Sequence, residues 1–414
     1  MSRRMRYRRA GRLGVLTVAG AIVALTVFGG IGASSPNRAT AEVRVVTLPI
    51  ANGFPLDLGI RKGFFQQQGI EIKKTTLQSG NDVVLALANN NGDIGYLGFV
   101  PMYIAVTSGI PMTLVAASEV EGTSAADNWQ NILVKGSSSI RTPRDLAGKT
   151  IAVNALKGVG EVMIKAAMQK LGVSPTSFRL TALNFPQMRS ALNNGQVDAI
   201  WTPEPFLSQA INIDGARSVM APGPVLGRYW PIGGYAARQA WRSSNPALAQ
   251  RFRTAINRSL SYAQAHPSEI RAMLPPGTQN VRLPIWSPLV DRSKLQRLAG
   301  YARKYDVITK LPNMRQLVPN SIASGLVLQG TVQARRVLLR LDGKSVTRLN
   351  AGPYTFVVTD GSRTQNFTLA GPGVNKRTAL KGTGRSTWTL TLRAGTYRYW
   401  SSGRPRAKRS FRVA

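Results

Sequence analysis

The sequence contains no cysteine and a single histidine, His266. The absence of cysteine excludes disulfides, thiol nucleophiles, thiolate metal sites and a lipid-bearing cysteine after an export signal. His266 lies in the polar stretch AQAHPSEI, directly before Pro267, where a solvated or capping histidine is expected. We therefore expect no metal, no cofactor and no chemistry that depends on thiols or paired imidazoles.

Acidic residues are also scarce. There are 18 Asp and Glu against 54 Lys and Arg, which gives a net charge of +36. A field of this sign attracts polyanions such as nucleic acid, anionic lipid or acidic wall polymer. No nucleic-acid motif with interleaved aromatics occurs in the basic stretches, and an export segment precedes them. An anionic wall or lipid surface is therefore the expected partner, and nucleic acid is not.

The first 41 residues have the pattern of an export segment. The basic stretch MSRRMRYRRAGR precedes the apolar run LGVLTVAGAIVALTVFGGIGA, and the small residues Ala39 to Ala41 suit a cleavage site. The apolar run is also just long enough to span a bilayer, so residues 1–41 are either a signal peptide or an uncleaved membrane anchor. Both alternatives predict an exported protein, extracellular or periplasmic and associated with the membrane or wall.

A short phrase occurs twice, as VVLALANNNGDIGYLGF and as PQMRSALNNGQVDAIW. Each copy has apolar residues at helical spacing, an Asn-Asn-Gly stop and then a short buried strand. In open α/β sheets, ligands bind beyond the carboxyl ends of such strands. Two copies about a hundred residues apart predict two similar α/β lobes that share a cleft.

A glycine-rich turn precedes the helix pattern in LKGVGEVMIKAAMQKLG. Gly158 and Gly160 would leave backbone N–H groups free at the helix start, where an anionic or polar ligand group can bind. The alternative is that these glycines only permit a tight turn. The third glycine and the acidic residue of a dinucleotide site are missing, so no such cofactor is expected.

Four segments in order carry a family resemblance: PIANGFPLDLGIRKGFFQQQGIEI, SGNDVVLALANNNGDIGYLG, RTPRDLAGKTIAV and AIWTPEPF. Over residues 43–320 the chain resembles the solute-binding proteins of nitrate, sulfonate, taurine and thiamine-precursor ABC importers. The resemblance implies a type II periplasmic-binding-protein fold in residues 42–320. Its first lobe would comprise about 42–135 and 236–320, its second about 136–235, with a hinge between them. It also implies a monomeric receptor, not an enzyme, that delivers a small solute to an ABC permease.

The resemblance also implies which residues contact the ligand. They are Asn52, Gly53, Phe54, Ser79, Gly80, Asn81, Tyr96, Leu97, Gly98, Gly158, Val159, Gly160, Trp201 and Glu204. Glu204 lies between two prolines, and its restrained backbone would suit a carboxylate that meets a ligand amine. Helix-start donors and this carboxylate together favour a sulfonate- or taurine-like zwitterion, or an aminopyrimidine-like ring. We expect Glu204→Gln to weaken an amine-bearing ligand at least tenfold, unless Glu204 is a cap or an interlobe ion pair.

Residues 326–414 have a different pattern. Apolar and polar residues alternate between Asp-Gly, Ala-Gly and Gly-Pro turns, which predicts a small all-β sandwich. TQNFTLAGPG and AGTYRYWSSG resemble the cupredoxin-like domains of secreted actinobacterial proteins. By that resemblance Ser401, Arg404, Gln365 and Thr368 stand in the copper-ligand regions, so no metal site is expected. The segment has 17 Lys and Arg against two Asp, a net of +15, which predicts docking on an anionic surface or reflects compositional bias alone.

Two other functions remain as alternatives. One is a sensory or adhesion protein of the wall or membrane surface that retains a binding cleft. The other is an enzyme that uses Glu204 with Asp198 as paired carboxylates. The two carboxylates are six positions apart, with Asp198 at a strand, so the sequence does not place them in one site.

Overall fold

The computed structural model describes residues 40–414, except 276, 277, 279, 280, 320, 321, 325, 334, 335, 342, 343, 350, 351 and 405. The predicted export segment lies outside these residues, apart from its last two positions. Within the part that is described, no helix is both long and apolar enough to cross a membrane.

The first lobe is built on a six-stranded mixed sheet. Its strands are β1 (Ala41–Thr47), β2 (Ile70–Thr76), β3 (Ile94–Gly98), β4 (Met112–Val120), β10 (Pro231–Arg238) and β11 (Ile285–Trp286). Their order is β11-β4-β10-β3-β1-β2. β1 pairs in parallel with β2 and β3, whereas β10 runs antiparallel to both β3 and β4. The carboxyl ends of β1 and β3 therefore meet at one edge of the sheet.

The second lobe is built on a five-stranded sheet. Its strands are β5 (Gln130–Val134), β6 (Thr150–Val153), β7 (Arg179–Ala182), β8 (Ala199–Pro203) and β9 (Arg217–Met220), in the order β7-β6-β8-β5-β9. β6 is parallel to β7 and β8, and β5 is antiparallel to β8 and β9. Each lobe is thus an α/β layer with a mixed sheet, as the repeated phrase predicts.

Twelve helices are assigned in the described residues. They are α1 (Phe54–Arg61), α2 (Gly80–Ala88), α3 (Phe99–Thr107), α4 (Val159–Lys170), α5 (Phe185–Asn193), α6 (Phe206–Asn212), α7 (Pro222–Leu226), α8 (Gln239–Ser244), α9 (Pro246–Ala265), α10 (Pro267–Arg271), α11 (Arg292–Lys304) and α12 (Met314–Leu317). Short 3-10 turns occur at Ala51–Gly53, Gln66–Gln68 and Pro143–Leu146. The apolar faces of the helices join the sheets in one continuous core.

The chain crosses between the lobes twice, in residues 121–129 and 221–230. The crossovers pair with each other, because Glu121 N donates to Trp230 O at 2.8 Å and Tyr229 N donates to Gly122 O at 3.4 Å. The lobe boundaries expected near 135 and 235 are corrected accordingly, since β5 already belongs to the second sheet and β10 to the first. The sequence does not reveal where the chain passes between the lobes, because an apolar strand lies close to each side of both crossings.

Residues 323–413 form the β-rich carboxyl-terminal part. Its strands are β13 (Ala323–Ser324), β14 (Leu326–Gln333), β15 (Arg336–Leu341), β16 (Lys344–Ser345), β17 (Arg348–Leu349), β18 (Gly352–Asp360), β19 (Thr368–Gly371), β20 (Val374–Arg377), β21 (Gly384–Leu392), β22 (Gly395–Trp400) and β23 (Arg409–Val413). β13 pairs with β12 (Val290–Asp291), and the others form two five-stranded sheets, β16-β15-β14-β18-β21 and β17-β23-β22-β19-β20. An aromatic core that includes Phe356, Phe367, Tyr397 and Phe411 lies between them. The likeness to cupredoxin domains stays a prediction.

The sandwich packs against both crossovers. Val357 of β18 joins Val120, Tyr229 and Ile285 in a small buried apolar cluster. Polar contacts surround this cluster: Arg385 pairs with Asp127 at 3.2 Å, and Arg228 donates to Gln329 at 3.0 Å. The carboxyl-terminal part is therefore attached where the two lobes are joined.

Candidate functional site

A cavity lies between the two lobes. Clefts between lobes or domains are common sites for small organic molecules. The first lobe contributes residues from the ends of β1 and β3, the start of α2 and β10. The second contributes residues from β5, β8, the loop before α4 and the start of α5. The lining residues are Leu48, Ile50, Gly80, Tyr96, Gly98, Pro101, Trp129, Gln130, Asn154, Ala155, Gly158, Val159, Phe185, Trp201, Pro203 and Ile232.

Gly80 lies at the start of α2, and the local sequence fixes that start. Ser79 Oγ accepts a hydrogen bond from Asp82 N, and Asp82 Oδ2 accepts one from Ser79 N, which is a capping box. A Cβ atom on Gly80 would lie 2.8 Å from Pro101 Cγ. The helix start can therefore approach Pro101 closely only because residue 80 is glycine.

The start of α4 forms the facing wall. Gly158 is its N-cap, and Gly160 packs against the indole of Trp201 so tightly that a Cβ would lie 2.6 Å from Trp201 Cε3. The Glu161 carboxylate accepts hydrogen bonds from Lys157 N and Lys165 Nζ, each at 2.7 Å. A negative charge therefore already lies in the first turn, where it offsets the positive end of the helix dipole.

Aromatic side chains give the cavity flat walls. The Phe185 ring lies 6.3 Å from that of Trp201 and stacks on that of Phe206 at 5.9 Å. Trp129 is held by a hydrogen bond from its Nε1 to Val120 O at 3.2 Å. On the first lobe, Tyr96 contacts Tyr235 edge to face, with ring centroids 5.5 Å apart. Such walls suit a ligand with a planar or apolar portion.

Tyr96 is bonded to a buried glutamate behind it. Its hydroxyl donates to Glu119 Oε1 at 2.7 Å across β10. Gly233 lies between them, where a Cβ would come within 3.1 Å of Tyr96 Oη and 3.3 Å of Glu119 Oε1. Burial raises the pKa of Glu119 to about 7, although the polar groups of Ser118, Tyr96 and Asn52 lower it.

Gln130 is held in the same way by a second glutamate. Its side-chain amide donates to Glu121 Oε1 at 2.6 Å, and Asn128 Nδ2 donates to the same oxygen at 3.2 Å. Glu121 is fully buried at the first crossover, and burial raises its pKa to about 7 against these two hydrogen bonds. Both glutamates thus lie just behind the cavity wall, one on each side of Val120.

Glu204 is fully buried and is not among the residues that line the cavity. Oε2 accepts from Ser208 N at 3.0 Å, while Oε1 accepts from Ser208 Oγ at 2.8 Å and from Arg282 N at 3.1 Å. Burial raises its pKa, and these hydrogen bonds lower it. Its backbone carbonyl accepts from Ala51 N of the first lobe at 2.9 Å.

Comparison with known proteins identifies the family. The family model described as NMT1/THI5 like matches residues 52–270, more than half of the chain. The chain belongs to the NMT1/THI5-like family. This confirms the relationship inferred from the ordered sequence motifs.

Named relatives of this NMT1/THI5-like protein bind small solutes. At 28% identity the chain is similar to the Bacillus subtilis (strain 168) protein named for binding aliphatic sulfonates, over 62% of this chain and 75% of that protein. It is also 28% identical to the taurine-binding periplasmic protein of Escherichia coli (strain K12), over 34% of this chain and 42% of that protein.

Solved structures confirm the two-lobed fold. The alkanesulfonate-binding protein SsuA from Xanthomonas axonopodis pv. citri, bound to MOPS, aligns with a TM-score of 0.57 at 21% identity, over 67% of this chain and 96% of that chain. The nitrate-binding protein NrtA from Synechocystis PCC 6803 aligns with a TM-score of 0.58 at 14% identity, over 69% and 87%. The type II periplasmic-binding-protein fold expected from the sequence is confirmed.

In this family member, six of the contact residues predicted from the sequence line the cavity. They are Gly80, Tyr96, Gly98, Gly158, Val159 and Trp201. Ser79 and Gly160 support them through the cap of α2 and the packing on Trp201. The remaining predicted residues are not among those that line the cavity: Asn52, Gly53, Phe54, Asn81, Leu97 and Glu204.

Glu204 requires a correction. Three hydrogen bonds from Ser208 and Arg282 satisfy its carboxylate, so it serves as a cap in this family member, which is the alternative that the sequence left open. Sequence reasoning missed the other lining residues, which are Leu48, Ile50, Pro101, Trp129, Gln130, Asn154, Ala155, Phe185, Pro203 and Ile232. It also missed Glu119 and Glu121 behind the wall. Trp129 and Gln130 lie at the end of a polar crossover that gave no recognisable signal, whereas Phe185 could have been found as the first helical residue after a strand end.

The residues considered for other chemistry lie outside the cavity lining. Asp198 Oδ2 accepts from Thr150 N at 2.8 Å, which ties β8 to β6. His266 is exposed and stacks on Tyr262, with ring centroids 3.9 Å apart. Ser401 is buried and accepts from Asn366 N at 3.1 Å. Among the described residues, no group of three His, Cys, Asp or Glu side chains could hold a metal ion.

Proposed function

We propose that this protein is the extracytoplasmic receptor of an ABC importer, which captures a small organic solute between its lobes and delivers it to a membrane permease. The observation that carries the proposal is the interlobe cavity. Gly98 of the first lobe and Val159 of the second both line it, and they touch each other. A ligand held there would contact both lobes and stabilise their closure.

The lining favours binding over catalysis. Among the described lining residues there is no carboxylate, imidazole or amine, and the titratable group present is the Tyr96 phenol. Burial and the neighbouring Glu119 carboxylate both raise the pKa of Tyr96, so the phenol remains protonated. Such a wall provides shape, aromatic surface and hydrogen bonds, but no acid and base pair for proton transfer.

The named relatives support a small anionic or zwitterionic solute as the first class to examine. The proteins from Bacillus subtilis and Escherichia coli are named for aliphatic sulfonates and taurine. A receptor of this kind works outside the cytoplasmic membrane, which agrees with the export pattern of residues 1–41. Sulfonates and taurine therefore belong in the screen beside nitrate, aminopyrimidines and aromatic amides.

A thermal-shift screen of the full chain against this panel tests the receptor function. A solute that binds the native state must raise Tm in a saturable manner. We expect a rise for one class, and its loss in Trp201→Ala, which removes a cavity wall. Trp241→Ala is the matched control, because Trp241 packs on the core but does not line the cavity. No response to any solute in the panel would contradict the receptor function.

The outer face of one sandwich sheet supports docking on an anionic lipid surface. Arg348 of β17 stands directly opposite Arg412 of β23 in the sheet register, and Arg398 lies on the adjacent β22. All three side chains are exposed. Like charges on neighbouring strands repel each other, and the repulsion falls when an anionic surface neutralises them. We propose that this face holds the receptor close to the membrane that contains its permease.

Vesicle sedimentation of the full chain tests this docking. Binding to phosphatidylglycerol vesicles at low salt should weaken in Arg348→Ala/Arg398→Ala/Arg412→Ala and at high salt. The control replaces three exposed arginines of the lobes, Arg61, Arg144 and Arg179. If vesicle binding falls equally in both variants, it depends on the net charge of the protein and not on this face. Binding to wall material but not to vesicles would favour the surface adhesion alternative, which also predicts no stimulation of a permease.

A further inference from the structure

The two polar side chains that the cavity wall presents near the crossovers, Tyr96 and Gln130, are both bonded to buried carboxylates. Tyr96 donates its hydroxyl hydrogen to Glu119, and Gln130 donates an amide hydrogen to Glu121. A phenol has one hydrogen to donate, so the Tyr96 oxygen can offer a ligand only its lone pairs. The Gln130 amide likewise keeps its carbonyl oxygen and one N–H.

The charged groups directly behind this wall of the cavity are acidic. The described residues that line the cavity include no lysine and no arginine, although the chain carries 54 of them. Two carboxylates lie directly behind the wall near the crossovers, whereas Glu161 in the first turn of α4 is paired with Lys165 Nζ at 2.7 Å. In a protein with a net charge of +36, this side of the cavity thus has acidic groups behind it and no basic side chain among the described lining residues.

Unsatisfied polar atoms gather beneath Tyr96. Glu119 Oε2 and both amide atoms of Asn52 are buried without a hydrogen-bond partner, and so is Tyr235 Oη. The Asn52 amide is near enough to lower the pKa of Glu119, yet it forms no hydrogen bond of ordinary geometry with it. A buried carboxylate oxygen without a donor is costly, so Glu119 depends strongly on the hydrogen bond that Tyr96 donates.

We infer that Glu119 is a positioning residue that makes the Tyr96 side of the cavity an acceptor surface, so that the cleft selects uncharged or cationic ring compounds with N–H donors over oxyanions. This inference rests on the proposed receptor function. It sets the protein apart from relatives named for sulfonates and nitrate. At the start of α4, where Gly158 and Val159 line the cavity, backbone N–H groups would donate to a carbonyl oxygen or ring nitrogen of the same ligand.

Three matched probes test the selectivity: benzamidine, benzamide and benzoate. They share a ring and a planar head group, but benzamidine only donates, benzamide donates and accepts, and benzoate only accepts. For the full chain at mildly alkaline pH we expect benzamidine and benzamide to bind at least about tenfold more tightly than benzoate. Equal affinities, tighter binding of benzoate, or no binding of any of the three would overturn the inference.

Glu119→Gln provides the decisive variant. Its side-chain amide can donate to Tyr96 Oη, which frees the phenol hydrogen to point at a ligand. Discrimination between benzamidine and benzoate should then shrink or reverse, by about tenfold. A purely structural role would lower Tm in the absence of a probe and leave the ratio of the two affinities unchanged. Tyr96→Phe is a second variant that removes the acceptor itself, so benzamidine should weaken while benzoate does not.

The outcomes separate this inference from the receptor function. If an alkanesulfonate or taurine raises Tm and Trp201→Ala abolishes that rise, while benzoate binds as well as benzamidine, the receptor stands and the acceptor surface is rejected. If neither the three probes nor any solute in the wider panel binds, both proposals fail. A preference for benzamidine that Glu121→Gln also reduces would extend the same role to the second glutamate.

Discussion

Gly98 of the first lobe and Val159 of the second pack so closely that a Cβ atom on Gly98 would lie 2.4 Å from Val159 Cγ2. Real Cβ atoms do not approach other atoms to this distance, so a side chain at position 98 would require Val159 to rotate or the lobes to separate. Gly98 is the last residue of β3 and Val159 is the first residue of α4, and both line the cavity. A glycine at this position therefore permits the close contact between the lobes.

We expect Gly98→Ala to weaken solute binding about tenfold or more, because the closed state that binds becomes less populated. Titration calorimetry with the solute that the screen identifies would measure the loss. Val159→Ala in the same chain should restore much of the affinity, since it removes the atom that the new methyl meets. Gly300→Ala is the control: its Cβ would meet nothing within 4 Å, so affinity should not change. A double variant as weak as Gly98→Ala would contradict the steric explanation.

Glu204→Gln is expected to act on stability and not on ligand contact. The glutamine amide would place N–H groups against Ser208 N or Arg282 N, which now donate to the carboxylate. A buried donor that faces a donor costs about 1–3 kcal/mol. Urea unfolding should show this loss, whereas the solute Kd measured well below Tm should change less than about threefold. A tenfold loss of affinity at unchanged stability would return Glu204 to the ligand site.

The different outcomes at Trp201 and Glu204 show what the sequence can specify. Both stand in WTPEP, and the helix-stop-strand pattern correctly places this segment at a strand end facing the cleft. The direction of an individual side chain depends on partners far away in sequence. The donors that hold Glu204 include Arg282 N, 78 positions later. No local pattern contains that information.

The same limit applies to the part of the cavity wall around Tyr96, which could not be predicted from the sequence. Tyr96 is predictable as a strand residue near the cleft. Its bond to Glu119, however, requires β3 and β4 to lie on either side of β10, the strand that returns from the second lobe. Gly233 lies within β10, where the absence of a Cβ leaves room for the Tyr96 hydroxyl. Strand order across a crossover, not local propensity, decides these contacts.

Stability should fall as pH rises from about 4.5 to about 7. Burial raises the pKa of Glu119 and Glu121 from 4.5 to about 7 in the folded state, so there the folded protein holds protons that the unfolded chain has lost. Each proton contributes a slope of at most about 1.4 kcal/mol per pH unit. Urea unfolding of Glu119→Gln, which cannot titrate at this position, should show a shallower decline than the unaltered chain. Glu42→Gln, at an exposed glutamate of β1, is the control. Identical slopes in all three proteins would contradict the assignment.

The sandwich should restrain the crossovers through Val357. Truncation to alanine removes methyl groups from the cluster with Val120, Tyr229 and Ile285, at a cost of about 1–2 kcal/mol. The crossover pairing lies beside this cluster, so the amides of Glu121 and Tyr229 should exchange their hydrogens faster in Val357→Ala.

The matched control is Val332→Ala. Val332 is as buried as Val357, with 1% of its surface exposed, but it packs in the core between the two sandwich sheets. It should lower the stability of the sandwich without a selective increase in exchange at Glu121 and Tyr229. If both variants accelerate these two amides equally, the crossovers respond to the loss of the sandwich as a whole. If neither does, the sandwich is attached to the lobes without restraining them.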